Sequence, residues 1–165
     1  MVPVFVAPMN LIDTIRSQLS EHWIPDIYAN RVRTGRTRSH HLDIPERENR
    51  AEIMFTLLGI ELKVGNKRFA CPDLATARYL QVFARLGCRD IAVPYDITQI
   101  SPVADDLETA WQRMLLVIAN ECSDRSAQTL GKTRAALIRQ IRQEITGIGA
   151  GDLMPEFKKS TKQRT

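Results

Sequence analysis

The stretch IELKVGNKRFACPD, residues 60–73, predicts a β-hairpin at the centre of the chain. Its first five residues alternate apolar and charged side chains, which is the period-two pattern of a strand with one buried face. The Gly65-Asn66 dipeptide then has the residue types of a tight hairpin turn. We therefore expect residues 67–71 to return as the partner strand.

The segment DLATARYLQVFARLG, which follows, predicts a helix that is buried on most of its sides. Pro72 and Asp73 are typical of the start of a helix, and Gly87 suits the position just past its end. At 100° per residue the apolar side chains cover most of the circumference. The narrow polar stripe that remains consists of Arg78, Gln81 and Arg85.

The residues before the hairpin, 45–58, are expected to form an amphipathic helix. Pro45 is favoured in a first helical turn, and Glu46 and Glu48 would complement the positive end of the helix dipole. Gly59 suits the left-handed position just past the helix end. The apolar side of this helix would be formed by Met54, Leu57 and Leu58.

The remaining patterns predict helices at both ends of the chain and one more strand. Helical spacing of apolar residues indicates a first helix over residues 10–23, which Pro25 would end. Two further helices form a helical hairpin over residues 102–146. The third strand candidate is RDIAVPYDI, residues 89–97, and a short hairpin is expected around Thr34-Gly35.

These elements predict an α+β fold in a single domain over residues 1–150. A small, mostly antiparallel three-stranded sheet within residues 60–95 would be packed by the N-terminal helical region and the C-terminal helical hairpin. Residues 151–165 are rich in lysine and lack core material, so we expect a flexible basic tail there.

Composition favours a cytoplasmic protein without cofactor or metal. The 3 cysteines are scattered, with no CxxC motif, which argues for reduced thiols and against a disulfide framework. No segment approaches the apolar length of a membrane span, so we expect no membrane association. His40 and His41 are adjacent and would point to opposite faces of a strand, so they form a poor pair of metal ligands.

The positive charge of the chain is concentrated in two places. The net charge is +4, but residues 31–41, RVRTGRTRSHH, contain four arginines and no acidic residue, and the tail is also basic. The rest of the chain is therefore mildly acidic. We call residues 31–41 the arginine segment. Such an asymmetry indicates an acidic partner.

The sequence predicts a role in binding and not in catalysis, with the nucleic acid backbone as the partner. Arginine donates two parallel hydrogen bonds to a phosphate and stays charged. No aromatic residue interleaves the segment, so base stacking is not expected. The candidate binding residues are Arg31, Arg33, Arg36, Arg38, His40, His41, Arg78 and Arg85.

Several alternatives remain open at this level. The arginine segment is also compatible with a solvated loop whose arginines pair with Glu46, Glu48 or the acidic body. An assembly or regulatory factor that binds an acidic protein would use the same residues. The run of apolar residues at 114–119 also leaves a homo-oligomer open.

The alternative from another class is a metal-dependent nuclease. Such enzymes place an acidic residue before an ExK strand, so that two carboxylates hold a magnesium ion beside a lysine. Glu61 and Lys63 supply an ExK here, and Asp43 is the earlier acid. The pattern also arises on the wet face of any half-buried strand.

Overall fold

The computed structural model describes residues 10–151. The helices of this range are α1 (Leu11–Leu19), α2 (Ile24–Ile27), α3 (Leu74–Leu86), α4 (Ile100–Glu121) and α5 (Ala127–Ile148). The strands are β1 (Thr37–His41), β2 (Ala51–Thr56), β3 (Gly59–Val64), β4 (Lys67–Cys71) and β5 (Asp90–Pro94). The basic tail predicted from residue 151 onward lies outside the described residues beyond its first position.

The strands form two separate antiparallel sheets, and the helices pack against them. β2, β3 and β4 form a three-stranded meander, in which Val64 lies opposite Lys67 across the predicted Gly65-Asn66 turn. β1 and β5 form a two-stranded sheet, with Thr37 opposite Pro94. This architecture confirms the predicted α+β class with a small antiparallel three-stranded sheet.

The prediction of a helix over residues 45–58 is wrong. The chain forms irregular backbone up to Arg50 and then β2, which turns into β3 through Leu57 and Leu58. These two leucines, assigned to the buried side of the helix, are 106% and 91% exposed. The alternation of Ala51, Ile53 and Phe55 is the pattern that prevails, because these side chains share one face of the sheet. Ala51 and Ile53 pack against the core on that face, whereas Phe55, close to the turn, is 72% exposed.

The third strand of the meander is therefore β2, whereas β5 belongs to the other sheet. The hairpin predicted around Thr34-Gly35 is also absent from the described chain, because residues Tyr28–Val32 form a π-helical turn. β1 begins after it and finds its partner about fifty positions along the chain, in β5. Local sequence shows no sign of such a distant pairing.

α3 is confirmed as the central buried helix. The Asp73 carboxylate accepts a hydrogen bond of 2.7 Å from the backbone N–H of Thr76, which caps the first turn. Gly87 ends the helix with φ +81°, the left-handed conformation that favours glycine. A Cβ at Gly87 would also lie 2.3 Å from the carbonyl oxygen of Arg47.

Two buried tyrosines hold β5 in the core. The backbone N–H of Ala92 donates to the hydroxyl oxygen of Tyr28 at 2.9 Å, and the hydroxyl of Tyr79 donates to the carbonyl oxygen of Ala92 at 2.6 Å. β5 has a strand neighbour only in β1 within the described chain. The two hydroxyls thus satisfy backbone groups that would otherwise be buried without partners.

The two long C-terminal helices are confirmed as α4 and α5, which are joined by a short loop and contact each other. The N-terminal helix is shorter than predicted: α1 ends at Leu19, and Ser20 adopts a positive φ of 49°. Pro25 lies in the first turn of α2, so it opens a second helix. None of the helices within residues 10–151 has both the length and the apolar character that crossing a membrane requires.

Candidate functional site

The arginine segment runs from the π-helical turn into β1, and its four arginines have different surroundings. Arg31 forms an ion pair with Asp106 on α4. Arg33 donates hydrogen bonds to the hydroxyl of Thr37 at 3.0 Å and to the carbonyl oxygen of Gly151 at 2.7 Å. These two side chains attach the segment to the helical part of the fold.

Arg36 lies over an exposed aromatic ring. Its guanidinium carbon is 4.9 Å from the centroid of the Tyr95 ring, a cation–π geometry. The contact follows from the sheet, because Tyr95 continues the register of β5 and donates its backbone N–H to the carbonyl oxygen of Arg36 at 2.9 Å. Tyr95 is 52% exposed, and a cavity of about 310 Å³ lies beside the two residues.

Arg38 and His40 occupy alternate positions of β1 and therefore lie on one face of the strand. Within residues 10–151 no carboxylate lies at ion-pair distance from Arg38. Partial burial lowers the pKa of His40 below its ordinary value, and the positive charge of Arg38 lowers this pKa further. His40 is thus neutral at pH 7, and the positive charge at this face comes from arginine.

Two carboxylates border this part of the sheet: Asp90, opposite His41, and Asp96, which lines the cavity beside Arg36 and Tyr95. The ring Nδ1 of His41 lies 2.7 Å from a carboxylate oxygen of Asp90. Asp96 accepts hydrogen bonds from the hydroxyl and the backbone N–H of Thr98 at 2.7 and 3.0 Å, and these bonds lower the pKa of its carboxyl group. His41 is therefore less suited to contact a phosphate than Arg38 is.

Arg78 and Arg85 belong to the polar stripe of α3 and face α4. Arg78 binds both carboxylate oxygens of Glu108 at 2.9 and 2.7 Å and also pairs with Asp105, and these contacts raise its pKa. Acidic residues of α4 therefore pair both with Arg78 in this stripe and with Arg31 in the arginine segment.

Sequence reasoning missed Tyr95. It sits 59 positions after Arg36, and only the pairing of β1 with β5 brings the two together. A signal was present in VPYD, where an aromatic residue follows a buried strand directly and precedes an aspartate. No aromatic residue interleaves the segment in sequence, but the fold places the Tyr95 ring against Arg36.

The residues of the nuclease alternative pair with different partners and do not contact one another through hydrogen bonds or ion pairs within residues 10–151. Glu61 and Lys63 share the solvent-facing side of β3, where Glu61 pairs with Arg68 at 3.4 Å. Asp43 instead pairs with Lys67 at 2.7 Å. Within residues 10–151 no group of three or more His, Cys, Asp or Glu side chains is arranged to hold a metal ion.

Comparison of the chain with protein-family models, with curated protein sequences and with solved structures finds no match.

Proposed function

We propose that the protein is a binding protein that contacts the phosphate backbone of nucleic acid through the β1–β5 surface, defined as Arg36, Arg38, His40 and Tyr95. The observation that carries the proposal is the position of the Arg36 guanidinium over the exposed ring of Tyr95. A guanidinium recognises phosphate, and an aromatic ring accepts the face of a base.

The charge distribution at this surface supports the proposal. Arg38 has no carboxylate at ion-pair distance within residues 10–151, so an incoming phosphate would not have to displace an acidic side chain. Asp90 is paired with His41. The low pKa of His40 also has a consequence for binding: a phosphate beside Arg38 would favour the protonated imidazole, so acidification strengthens binding.

Tyr95 points to single strands as the preferred partner. In a duplex the bases are stacked on each other, whereas unstacked bases in a single strand can contact an aromatic side chain. Stacking of a base on an aromatic ring contributes about 1–3 kcal/mol. We therefore expect a single-stranded oligonucleotide to bind more tightly than the duplex of the same sequence.

Fluorescence anisotropy with labelled ligands tests this function. The ligands are a single-stranded oligonucleotide, its duplex and polyglutamate of comparable charge. We expect the single strand to bind most tightly, the duplex less tightly and polyglutamate least. Replacing Tyr95 by alanine should remove most of the difference between single strand and duplex. Equal or tighter binding of polyglutamate would favour an acidic protein partner instead.

The control variant changes the net charge by the same amount as the variant of the β1–β5 surface. Arg68→Ala/Arg125→Ala removes two arginines that are exposed in sheet and loop positions outside the β1–β5 surface. This variant should bind like the wild type, whereas Arg36→Ala/Arg38→Ala should weaken binding to unrelated sequences by the same factor. Equal losses in the two variants would show that net charge alone drives binding, and the proposed surface would be rejected.

A further inference from the structure

A second cavity, away from the β1–β5 surface, contains three arginines. It has a volume of about 320 Å³ and lies between the loop before β2, the C-terminal end of α3, the middle of α4 and α5. Its basic side chains are Arg50, Arg85 and Arg134. Its apolar wall is formed by Trp111 and Leu115.

Two of the three arginines already have carboxylate partners. Arg134 binds Glu48 through two nitrogens, with its Nε 2.9 and 3.1 Å from the two carboxylate oxygens. Arg50 is almost fully exposed and lies 3.7 Å from Glu52. The cavity therefore holds one guanidinium more than it holds carboxylates, and that guanidinium belongs to Arg85.

Arg85 makes no close polar contact within residues 10–151. Its Nη2 lies 3.5 Å from the carbonyl oxygen of Ala51, and that oxygen already accepts a 2.8 Å hydrogen bond from Gln81. Its guanidinium carbon is 5.9 Å from the centroid of the Trp111 ring. Arg85 is thus a half-buried cation beside a cavity, with an aromatic wall and unfilled hydrogen-bonding capacity.

Arg78, on the same stripe of α3, differs from Arg85 in having carboxylate partners. Arg78 occupies the same stripe of α3, seven residues earlier, and is bound by Glu108 and Asp105. These contacts raise the pKa of Arg78, whereas burial lowers the pKa of Arg85. Glu108 stabilises the Arg85 charge only at longer range. A half-buried charge without a direct ion pair costs stability, so Arg85 is a position where a bound anion would be favourable.

We propose that this cavity binds a small organic oxyanion. The phosphate or carboxylate group contacts the guanidinium of Arg85, and the apolar body of the ligand lies against Trp111 and Leu115. The planar fork of a guanidinium matches both kinds of oxyanion. The volume is at the lower end of the range for small-molecule sites, so the ligand is small.

NMR titration of the full chain tests the site. The probes are phenyl phosphate, benzoate, inorganic phosphate and the neutral benzyl alcohol, and the readouts are the side-chain N–H signals of Trp111 and Arg85. We expect an aromatic anion to shift both signals saturably, and benzyl alcohol to shift neither. Comparison of the affinities for phenyl phosphate and benzoate shows whether the site prefers a phosphate or a carboxylate group. If no anion shifts either signal at millimolar concentration, the site is refuted.

Variants connect the binding to Arg85. Arg85→Met keeps an unbranched apolar stem and should weaken binding of the preferred anion by about tenfold or more, whereas Arg78→Met should leave it unchanged. Arg85→Met should also unfold at the same or a higher temperature than the wild type, because it removes a half-buried charge that has no direct ion pair within residues 10–151. Unchanged anion binding in Arg85→Met would overturn the proposal. So would a large loss of stability in Arg85→Met together with wild-type stability in Arg85→Lys.

Substitutions in one site should leave binding at the other site unchanged. Arg36→Ala/Arg38→Ala should retain the response of Trp111 to the small anions, because those residues do not line this cavity. Conversely, Arg85→Met should retain nucleic acid binding. Loss of both activities in either variant would contradict the separation of the two sites.

Discussion

The two sheets of this protein differ in how they are held and in what they present to solvent. The three-stranded sheet has one face against α3 and a second face in water, where Glu61 and Arg68 pair at 3.4 Å. In the two-stranded sheet, β5 is buried from Ile91 to Pro94, whereas β1 lies at the surface, with Ser39 and His41 exposed. The candidate nucleic acid surface lies on the two-stranded sheet, on β1 and just past the end of β5.

The difference shows where a small sheet can carry a binding surface. β5 is fixed along its length by β1 and by the hydroxyls of Tyr28 and Tyr79, so the side chains at its end are held by a rigid support. The end of the three-stranded sheet, by contrast, exposes the Leu57-Leu58 turn. The following predictions test this contrast, beginning with the largest effect.

Replacing Leu62 by alanine should destabilise the protein by about 2–5 kcal/mol. Leu62 is fully buried on the face of β3 that packs in the core, so truncation leaves a cavity. Leu57→Ala, in the exposed turn of the same sheet, should change stability by about 0.5 kcal/mol or less. Urea unfolding measures both changes, and a comparable loss in Leu57→Ala would show that the turn is packed in solution.

Replacing Tyr79 by phenylalanine should cost about 1–3 kcal/mol, because the buried carbonyl oxygen of Ala92 loses its 2.6 Å hydrogen bond. Tyr95→Phe is the matched control, since the Tyr95 ring is half exposed, and it should be within about 0.5 kcal/mol of the wild type. The same unfolding assay applies. Equal stability of Tyr79→Phe and the wild type would mean that the tyrosine hydroxyls do not hold β5.

Acidification should weaken folding through His40. Its pKa in the folded protein lies below the ordinary value of 6.5, so between these two pKa values the unfolded chain binds more protons. The contribution of the neutral His40 side chain to the free energy of unfolding is therefore complete above pH 6.5. This contribution is lost as the pH drops toward the pKa of His40 in the folded protein. Unfolding curves at a series of pH values should show a smaller fall in His40→Gln than in the wild type, and parallel profiles would contradict the prediction.

Sequence patterns predicted the elements whose burial is periodic. α3, α4 and α5 each have a helical repeat of apolar residues, and β3 alternates clearly because one of its faces is wet. The segment 45–58 misled because apolar residues of a turn, Leu57 and Leu58, fell at helical spacing. In that segment, alternation was the correct signal.

The candidate site was only partly predictable for the same physical reason. The arginine segment was visible as local composition, but the partners of each arginine depend on tertiary packing. Asp106 neutralises Arg31 from α4, whereas Tyr95 reaches Arg36 through the pairing of two distant strands. Local sequence carries no information on which carboxylate or ring a given arginine will meet.

The salt dependence of oligonucleotide binding tests the central claim most directly. The logarithm of the association constant of the wild type should fall linearly with the logarithm of salt concentration, by about 0.7 for each phosphate contact on a single strand. Arg36→Ala/Arg38→Ala should flatten this slope by about 1.4, the loss of two contacts, whereas Arg68→Ala/Arg125→Ala should keep the slope of the wild type. An unchanged slope in Arg36→Ala/Arg38→Ala would show that the β1–β5 surface does not contact the phosphate backbone.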